Sequence, residues 1–532
     1  MLVRPSPPSP PHAQLPTRRT ALRAAGAGAL ALGASGGLVG CRSAVSVAAG
    51  QGGARRGGSL TVGIPVDFTP ALLFTQSDQA LQQRLIYNTL IRYDDKLEPQ
   101  PELARSWKYA DDGRSITLKL RDDVTFHDGR AFTADDVIFA VENLRKPERS
   151  AQLAATAKAV TGFEKRGDHE IVLEFAHPVA NLFDLFEFMI ITDRHTLQDT
   201  LKGRKLNGTG PFRFDGWRPG TGIGLSRNDR YWIPERPYLD SVELRVYSHP
   251  DALLSALRSG QAQLSYGVSG KHLAPLKAVE NFTIKRYDTG SGAAYVGASV
   301  GTEPADNKEF RQAVAWAVDR ERVVQQALGG YGLPSAAPWP KSSPAHTEAN
   351  RTHYTHNPGK ARELLKASGV STSRPVPLGH PTQPLHTSVA EIVQYDLQQA
   401  GIRTELRPYD SATFQKRLIS GTMPALWVNL HAFAQVHPAT LAVSAYPFNE
   451  AKNTSGYRDK EYTDAVRAAW QHKDEDGPEA HARYQRISDL LLEEAFIIDL
   501  AVQDQVEVAA ARLRGATINK FSYLNLDHAY LA

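Results

Sequence analysis

The chain carries a few residue patterns whose spacing could do chemistry. Gly297-Ala298-Ser299-Val300-Gly301 has the G-x-S-x-G spacing of a serine nucleophile, which acyl-transferring hydrolases hold on a sharp strand-to-helix turn. Here Thr302-Glu303-Pro304 follows, and helical spacing resumes only at Phe310, so Ser299 reads as a strand or loop residue. A second copy around Ser35 falls in an uncharged N-terminal run. Gly267-Val268-Ser269-Gly270-Lys271 separates its glycines by two residues, where a Walker A phosphate loop needs four. No H-E-x-x-H occurs, and His346-Thr347-Glu348 lacks the P-C-x-x-C of a zinc deaminase. His346, His353 and His356 follow a proline-rich loop and read as solvated, while His127-Asp128-Gly129 reads as an Asp-Gly turn. No catalytic residue, metal site or cofactor is expected from these patterns.

The lone Cys41 has a stronger context. Residues 1–40 hold Arg4, Arg18, Arg19 and Arg23 and no acidic residue, then an uncharged Ala, Gly and Leu run from Ala24 to Gly40. A charged region before an apolar run is the layout of an export signal. Arg18-Arg19 resembles a twin-arginine signal, with Ala21 where that motif usually has Phe. Leu38-Val39-Gly40-Cys41 resembles a bacterial lipobox, in which cleavage precedes an acylated cysteine. Each buried CH₂ of an acyl chain contributes about 0.8 kcal/mol, so several chains hold a protein firmly on a bilayer.

Composition narrows the remainder. Of 532 residues, 61 are Lys or Arg and 57 are Asp or Glu, and the net +4 is held by the four leader arginines. A neutral mature chain gives no electrostatic footprint for nucleic acid, and one cysteine excludes an intrachain disulfide framework. Arg42 to Gly58 is rich in Ala, Gly and Ser and reads as a flexible tether (41–58). Strand alternation begins with Leu60, Val62 and Ile64, and recurs at Ile116, Leu118, Leu120, at Ile171, Leu173, Phe175 and at Val242, Leu244, Val246. Phe310, Val314, Ala317, Val324 and Leu328 are spaced for one face of a helix. Strands and helices alternate throughout, which predicts α/β or α+β with mixed sheets.

The segment from Asp111, DDGRSITLKLRDDVTFHDGRAFTADDVIFAVENL, is more specific. It predicts a hairpin and an Asp-Gly turn feeding a helix capped by Thr133, with Asp135 and Asp136 at its positive end. With Trp107, it resembles the signature of the family 5 extracellular solute-binding proteins, the peptide and nickel binding subunits of ABC importers. Further matches follow in family order: Asn207-Gly208-Thr209-Gly210-Pro211-Phe212 with Trp217, Arg227-Asn228, Tyr231-Trp232, Phe310 through Arg320, Gly329 through Pro334, Asn357-Pro358 through Leu365, and Ala400-Gly401-Ile402. The resemblance covers about residues 59–530.

It implies a bilobal, periplasmic-binding-protein-like clam of the type II, cluster C kind, with mixed sheets and an extra inserted subdomain. Lobe I is expected at 59–100, 205–295 and 505–532, the insert at 101–204 and lobe II at 296–504, after the 1–40 signal. The implied function is capture of an oligopeptide or related small solute between the lobes by hinge closure. Delivery to an ABC permease with a separate ATPase follows, by a monomer that is lipid-anchored on the outer face of the cytoplasmic membrane or in the periplasm. An exported hydrolase or a ligand-sensing surface protein on the same fold are the alternatives.

Peptide-binding members place an Asp in a lobe II segment shortly before a Pro, to pair with the peptide amine. The corresponding Pro424–Pro438 stretch here holds no carboxylate. An uncharged, amide-rich or aromatic ligand fits it as well, with Asn429 and His431 to hydrogen-bond and Trp427 and Phe433 to stack. Trp427 as core and His431 and His437 as loop residues is the competing reading. By resemblance, Asp67, Phe68 and Tyr295, with Gln503 and Asp504 near the return crossover, complete the candidate contacts, and Asp504 is an acidic alternative for a cation. For the anchor, Cys41→Ser is expected to move the protein from the membrane to the soluble fraction on cell fractionation; a processed variant that stays membrane-bound contradicts it.

Overall fold

The computed structural model describes residues 55–532 apart from 76–79, 95, 267, 269–272, 274–280, 372, 432–436, 474–475, 520 and 522. Arg18, Arg19, Cys41, Phe433 and most of Gly267–Lys271 lie outside the described residues. Residues from Gly52 to Ala532 form one compact unit.

Two long antiparallel strands organise it. Phe282–Ala298 pairs with Ile497–Ala510 along nearly its whole length. The second strand, IIDLAVQDQVEVAA, is buried at almost every position, as a strand covered on both faces must be. On one flank Leu426–His431 pairs with residues 293–298, followed by Val376–Pro381 and Thr404–Tyr409 in parallel. On the other, Leu264–Tyr266 pairs with residues 507–509, followed by Ser59–Ile64, Ser241–Val246, Gly222–Arg227 and Phe212–Arg218. With Gly332–Pro334 on the second long strand this makes one mixed eleven-stranded sheet.

The ladder between the long strands is irregular at two places, a one-residue offset at Ala294–Tyr295 and a larger break near its middle. Tyr287 faces Gln505 and Gly292 faces Gln503, so five steps on one strand are matched by two on the other. Gly290 in this bulge has φ +61°, and a Cβ there would lie 2.2 Å from Pro340. Only glycine combines that backbone with that approach.

A separate antiparallel sheet is built from Ala104–Tyr109, Ser115–Leu120, Glu170–Phe175 and Val160–Lys165. Its first turn is the expected hairpin, with Gly113 at φ +68° and Arg114 N–H bonded to Asp112 (2.9 Å). Thr133 starts the helix Ala134–Leu144 in a capping box, its N–H donating to Asp136 at 3.0 Å. Asp136 also holds Arg130 (2.8 Å) and Arg194 (2.7 Å), so this signature is architectural. Gly208 and Gly210 have an equally local reason: a Cβ on either would come within 3 Å of the Ile86 main chain. The apolar core under this sheet is continuous with that of Ser59–Ile64 and Ser241–Val246. Within it Arg84 bridges Glu102 (2.6 Å) and Glu187 (2.5 Å). Burial pushes Glu187 up to about 7, whereas Arg84 and Arg92 overcome burial at Glu102 and bring it down to about 2.

The helical spacing over 310–328 resolves into separate elements. Lys308–Ala317 ends at Val318 in extended backbone, and the Asp319 carboxylate caps a new start by accepting from Arg322 N–H (3.0 Å). The chain then continues through Arg320–Arg322 and a π-helical turn at Val323–Ala327. The apolar period alone does not report a capping aspartate in mid-run.

Trp427 lies flat against the first long strand, where a Cβ on Gly297 would approach its indole to 2.2 Å. Gly297→Ala therefore overpacks a fully buried Trp, and a loss of about 1–3 kcal/mol is expected in urea denaturation. An unchanged midpoint would mean that the indole gives way.

Candidate functional site

Three neighbouring strands bring Asn429, Tyr295 and Asp499 into one row, since Tyr295 is the direct partner of both others. Side chains at paired positions share a face. Tyr295 is fully buried and its hydroxyl accepts from Asn429 Nδ2 at 3.2 Å. Burial pushes the Tyr295 phenol above its ordinary range, and the Asn429 bond only partly opposes this. Asp499, 2% exposed, is raised well above a normal carboxylate by burial, with the Arg320 guanidinium pulling the other way. Burial thus shifts both ionisable groups of this row toward their neutral forms.

Two further residues of the same strand diverge. Trp427 belongs to the core beneath helices Lys460–Trp470 and Pro478–Glu494, which is the competing reading of the sequence. His431, half-buried at the strand end, points its ring toward Phe448 (6.2 Å between centroids). Burial lowers His431 to about 4 and His386 to about 4, the latter against a hydrogen bond to Asn429. Both residues are half-buried. The His386 and His431 imidazoles, the Asn429 amide and the Tyr295 phenol thus form a polar cluster that is uncharged at neutral pH. His386 and Phe448 were not legible in the sequence: His386 sits in the first turn of Pro384–Gln399, and only tertiary packing brings it to Asn429.

The other candidates are already engaged. Asp67 accepts from Trp217 Nε1 (3.1 Å) and Gly220 N–H (2.7 Å), and Phe68 packs edge-on against Trp217 (5.5 Å), so both shape a turn. Asp504 is ion-paired with Arg286 beside the bulge, with the Tyr331 ring 6.0 Å from that guanidinium, so a ligand cation there would compete with Arg286. Gln503 is half-buried at the bulge itself.

The patterns that suggested chemistry are likewise accounted for. Ser299 follows the strand and donates to the Pro424 carbonyl (2.8 Å). His127 is buried with Nε2 3.1 Å from the Gly210 carbonyl, and Gly129 takes φ +98° in the expected turn. His346 rests on the Trp339 carbonyl (3.3 Å), and His356 meets Asp319 (3.4 Å). Among the described residues no cluster of three His, Cys, Asp or Glu could hold a metal, and no helix is long and apolar enough to cross a membrane.

Known proteins share this architecture. The oligopeptide-binding protein AppA of Bacillus subtilis (strain 168) is 28% identical over 330 residues, 59% of this chain and 60% of that protein. The dipeptide-binding protein of Pseudomonas aeruginosa PAO1 is 25% identical over 495 residues, 86% of this chain and 92% of that protein. Among solved structures, the PBP AgaA of A. tumefaciens R10 with agropinic acid superposes with a TM-score of 0.80 at 22% identity, covering 89% of this chain and 99% of that one. AppA of Bacillus subtilis with a nonapeptide gives 0.80 at 22% identity, covering 90% and 100%. The fold is thus the α/β type II periplasmic-binding-protein fold. The model for bacterial extracellular solute-binding proteins, family 5 Middle, matches residues 98–451, more than half of the chain, and the protein belongs to that family.

Proposed function

We propose that the chain is the substrate-binding subunit of an ABC importer, and that it holds an oligopeptide or a related small solute between two lobes by hinge closure. The observation that carries this reading is the ladder break at 287–292, directly after which Gly292 pairs with Gln503 and Ala293 with His431 of the site strand. The lobes are 59–100, 205–295 and 505–532 against 296–504, with 101–204 inserted. Relatives named for oligopeptides and dipeptides support a peptide-like cargo. The uncharged cluster favours a cargo whose recognised end is neutral, because a buried ammonium without a counter-charge costs several kcal/mol. Permease and separate ATPase are the partners, and Cys41 is the lipid anchor behind a twin-arginine-like signal, on the outer face of the cytoplasmic membrane or in the periplasm. The protein acts as a monomer and without catalysis.

Native mass spectrometry of the purified protein is expected to release a compound uncharged at its recognised end; a retained free-amine peptide contradicts the neutral-end reading. Asn429→Ala should weaken rebinding of that compound by about tenfold, in line with a lost hydrogen bond, and lower the melting temperature modestly because the buried Tyr295 hydroxyl loses its Asn429 donor.

The same imidazoles set a pH dependence. His386 and His431 titrate at about 4 when folded, below the ordinary value near ~6.5, so the unfolded chain takes up protons first. Their contribution to stability is present above about pH 6.5 and is lost as pH falls toward about 4. His431→Gln should flatten the fall of the melting temperature across that window, and an unchanged slope would contradict it.

A further inference from the structure

Asp184 lies far in sequence from the candidate site, on helix Leu182–Phe188 beside the four-stranded sheet, and is fully buried. On its own side its carboxylate accepts from the Tyr93 hydroxyl at 3.1 Å. Two come from the second half of the chain: His437 N–H at 3.2 Å and the Thr440 hydroxyl at 2.5 Å. The turn His437–Thr440 follows the site strand Leu426–His431. His437 stiffens it, with Nδ1 accepting from Ala439 N–H (3.1 Å) and Nε2 2.9 Å from the Tyr484 hydroxyl. Neighbouring bonds cross the same boundary: Trp470 Nε1 to Asn181 (2.6 Å), Ala180 N–H to the Trp470 carbonyl (2.9 Å) and Tyr446 to the Ser150 carbonyl (3.0 Å).

We infer that Asp184 is a closure latch and a positioning residue for the ligand site. The inference rests on the hinged-binding reading above. A carboxylate can be buried only when donors replace its water, so closing the boundary is favourable only once His437 N–H and Thr440 are aligned on it. Opening returns the carboxylate to water, which makes the contact reversible where an apolar seal of the same area would resist parting. Because Ala439 of the turn shares one apolar core with Tyr295 and Trp427 beside the site strand, a ligand that seats that strand also sets the two donors. Closure thereby reports on the geometry of the site from the far side of the boundary.

Single-molecule energy transfer in a Cys41→Ser background, with dyes on cysteines at exposed Lys119 and Lys366, reads the separation directly. The otherwise unaltered protein is expected to show a short and a long separation; a single separation with every compound that binds overturns the hinged reading and the latch together. With two populations present, Asp184→Asn should move their ratio toward the long separation by about tenfold or more, the scale of lost charge-assisted hydrogen bonds. Thr440→Val should move it the same way by less, and keeps the test open if Asp184→Asn does not fold. A lowered melting temperature with an unchanged ratio in both variants would assign Asp184 to fold stability alone and overturn the latch.

Discussion

The pairing of Phe282–Ala298 with Ile497–Ala510 is the constraint on which the rest of the molecule depends. The second half of Ile497–Ala510 recruits Leu264–Tyr266 and, through it, Ser59–Ile64. The second half of Phe282–Ala298 recruits Leu426–His431 and its parallel neighbours. A sheet interior supplies its own backbone hydrogen bonds, so long strands can run from one set of neighbours to the other without leaving buried amides unpaired. The cost falls at the bulge, where three extra residues on one strand leave the ladder irregular and Gly290 must take a left-handed conformation. Weak pairing between two well-paired segments is what a bending point requires.

The site draws its character from that frame. Tyr295 stands on one long strand and Asp499 on the other, with Asn429 on the adjoining edge, so their alignment is a matter of register. A one-residue slip of any one of the three strands would turn its residue to the opposite face and break the row. Buried at the row's inner end, Asp499 is held toward its neutral form, and the imidazoles at the outer end are held neutral by the same desolvation. The cluster thus offers hydrogen-bonding groups rather than charge, and at the bulge Arg286 and Asp504 are paired with each other.

Local signals in the sequence carried far. Alternation at Leu60–Ile64, Ile116–Leu120, Ile171–Phe175 and Val242–Val246 marks real strands, because the period of two reflects one buried face wherever the strand lies in the chain. The Thr133 cap and both Asp-Gly turns are equally local. The run 310–328 misled because Asp319 can cap a new helix without disturbing apolar spacing. Asp67, Phe68 and Asp504 drew attention by type and position, yet their partners Trp217 and Arg286 are known only from packing. His386 beside Asn429 and Asp184 beside Thr440 are likewise products of tertiary approach across many residues, and no local pattern announces them.

The central claim is that the two long strands form a bending ladder around which the halves close on a solute. Crystal structures with and without bound compound test it most directly. The account predicts a rigid-body rotation between the two sets of strands, with backbone dihedral changes concentrated at Tyr287–Gly292 and Gln503–Gln505. Superposable structures, or a rotation whose pivot lies elsewhere, would contradict it.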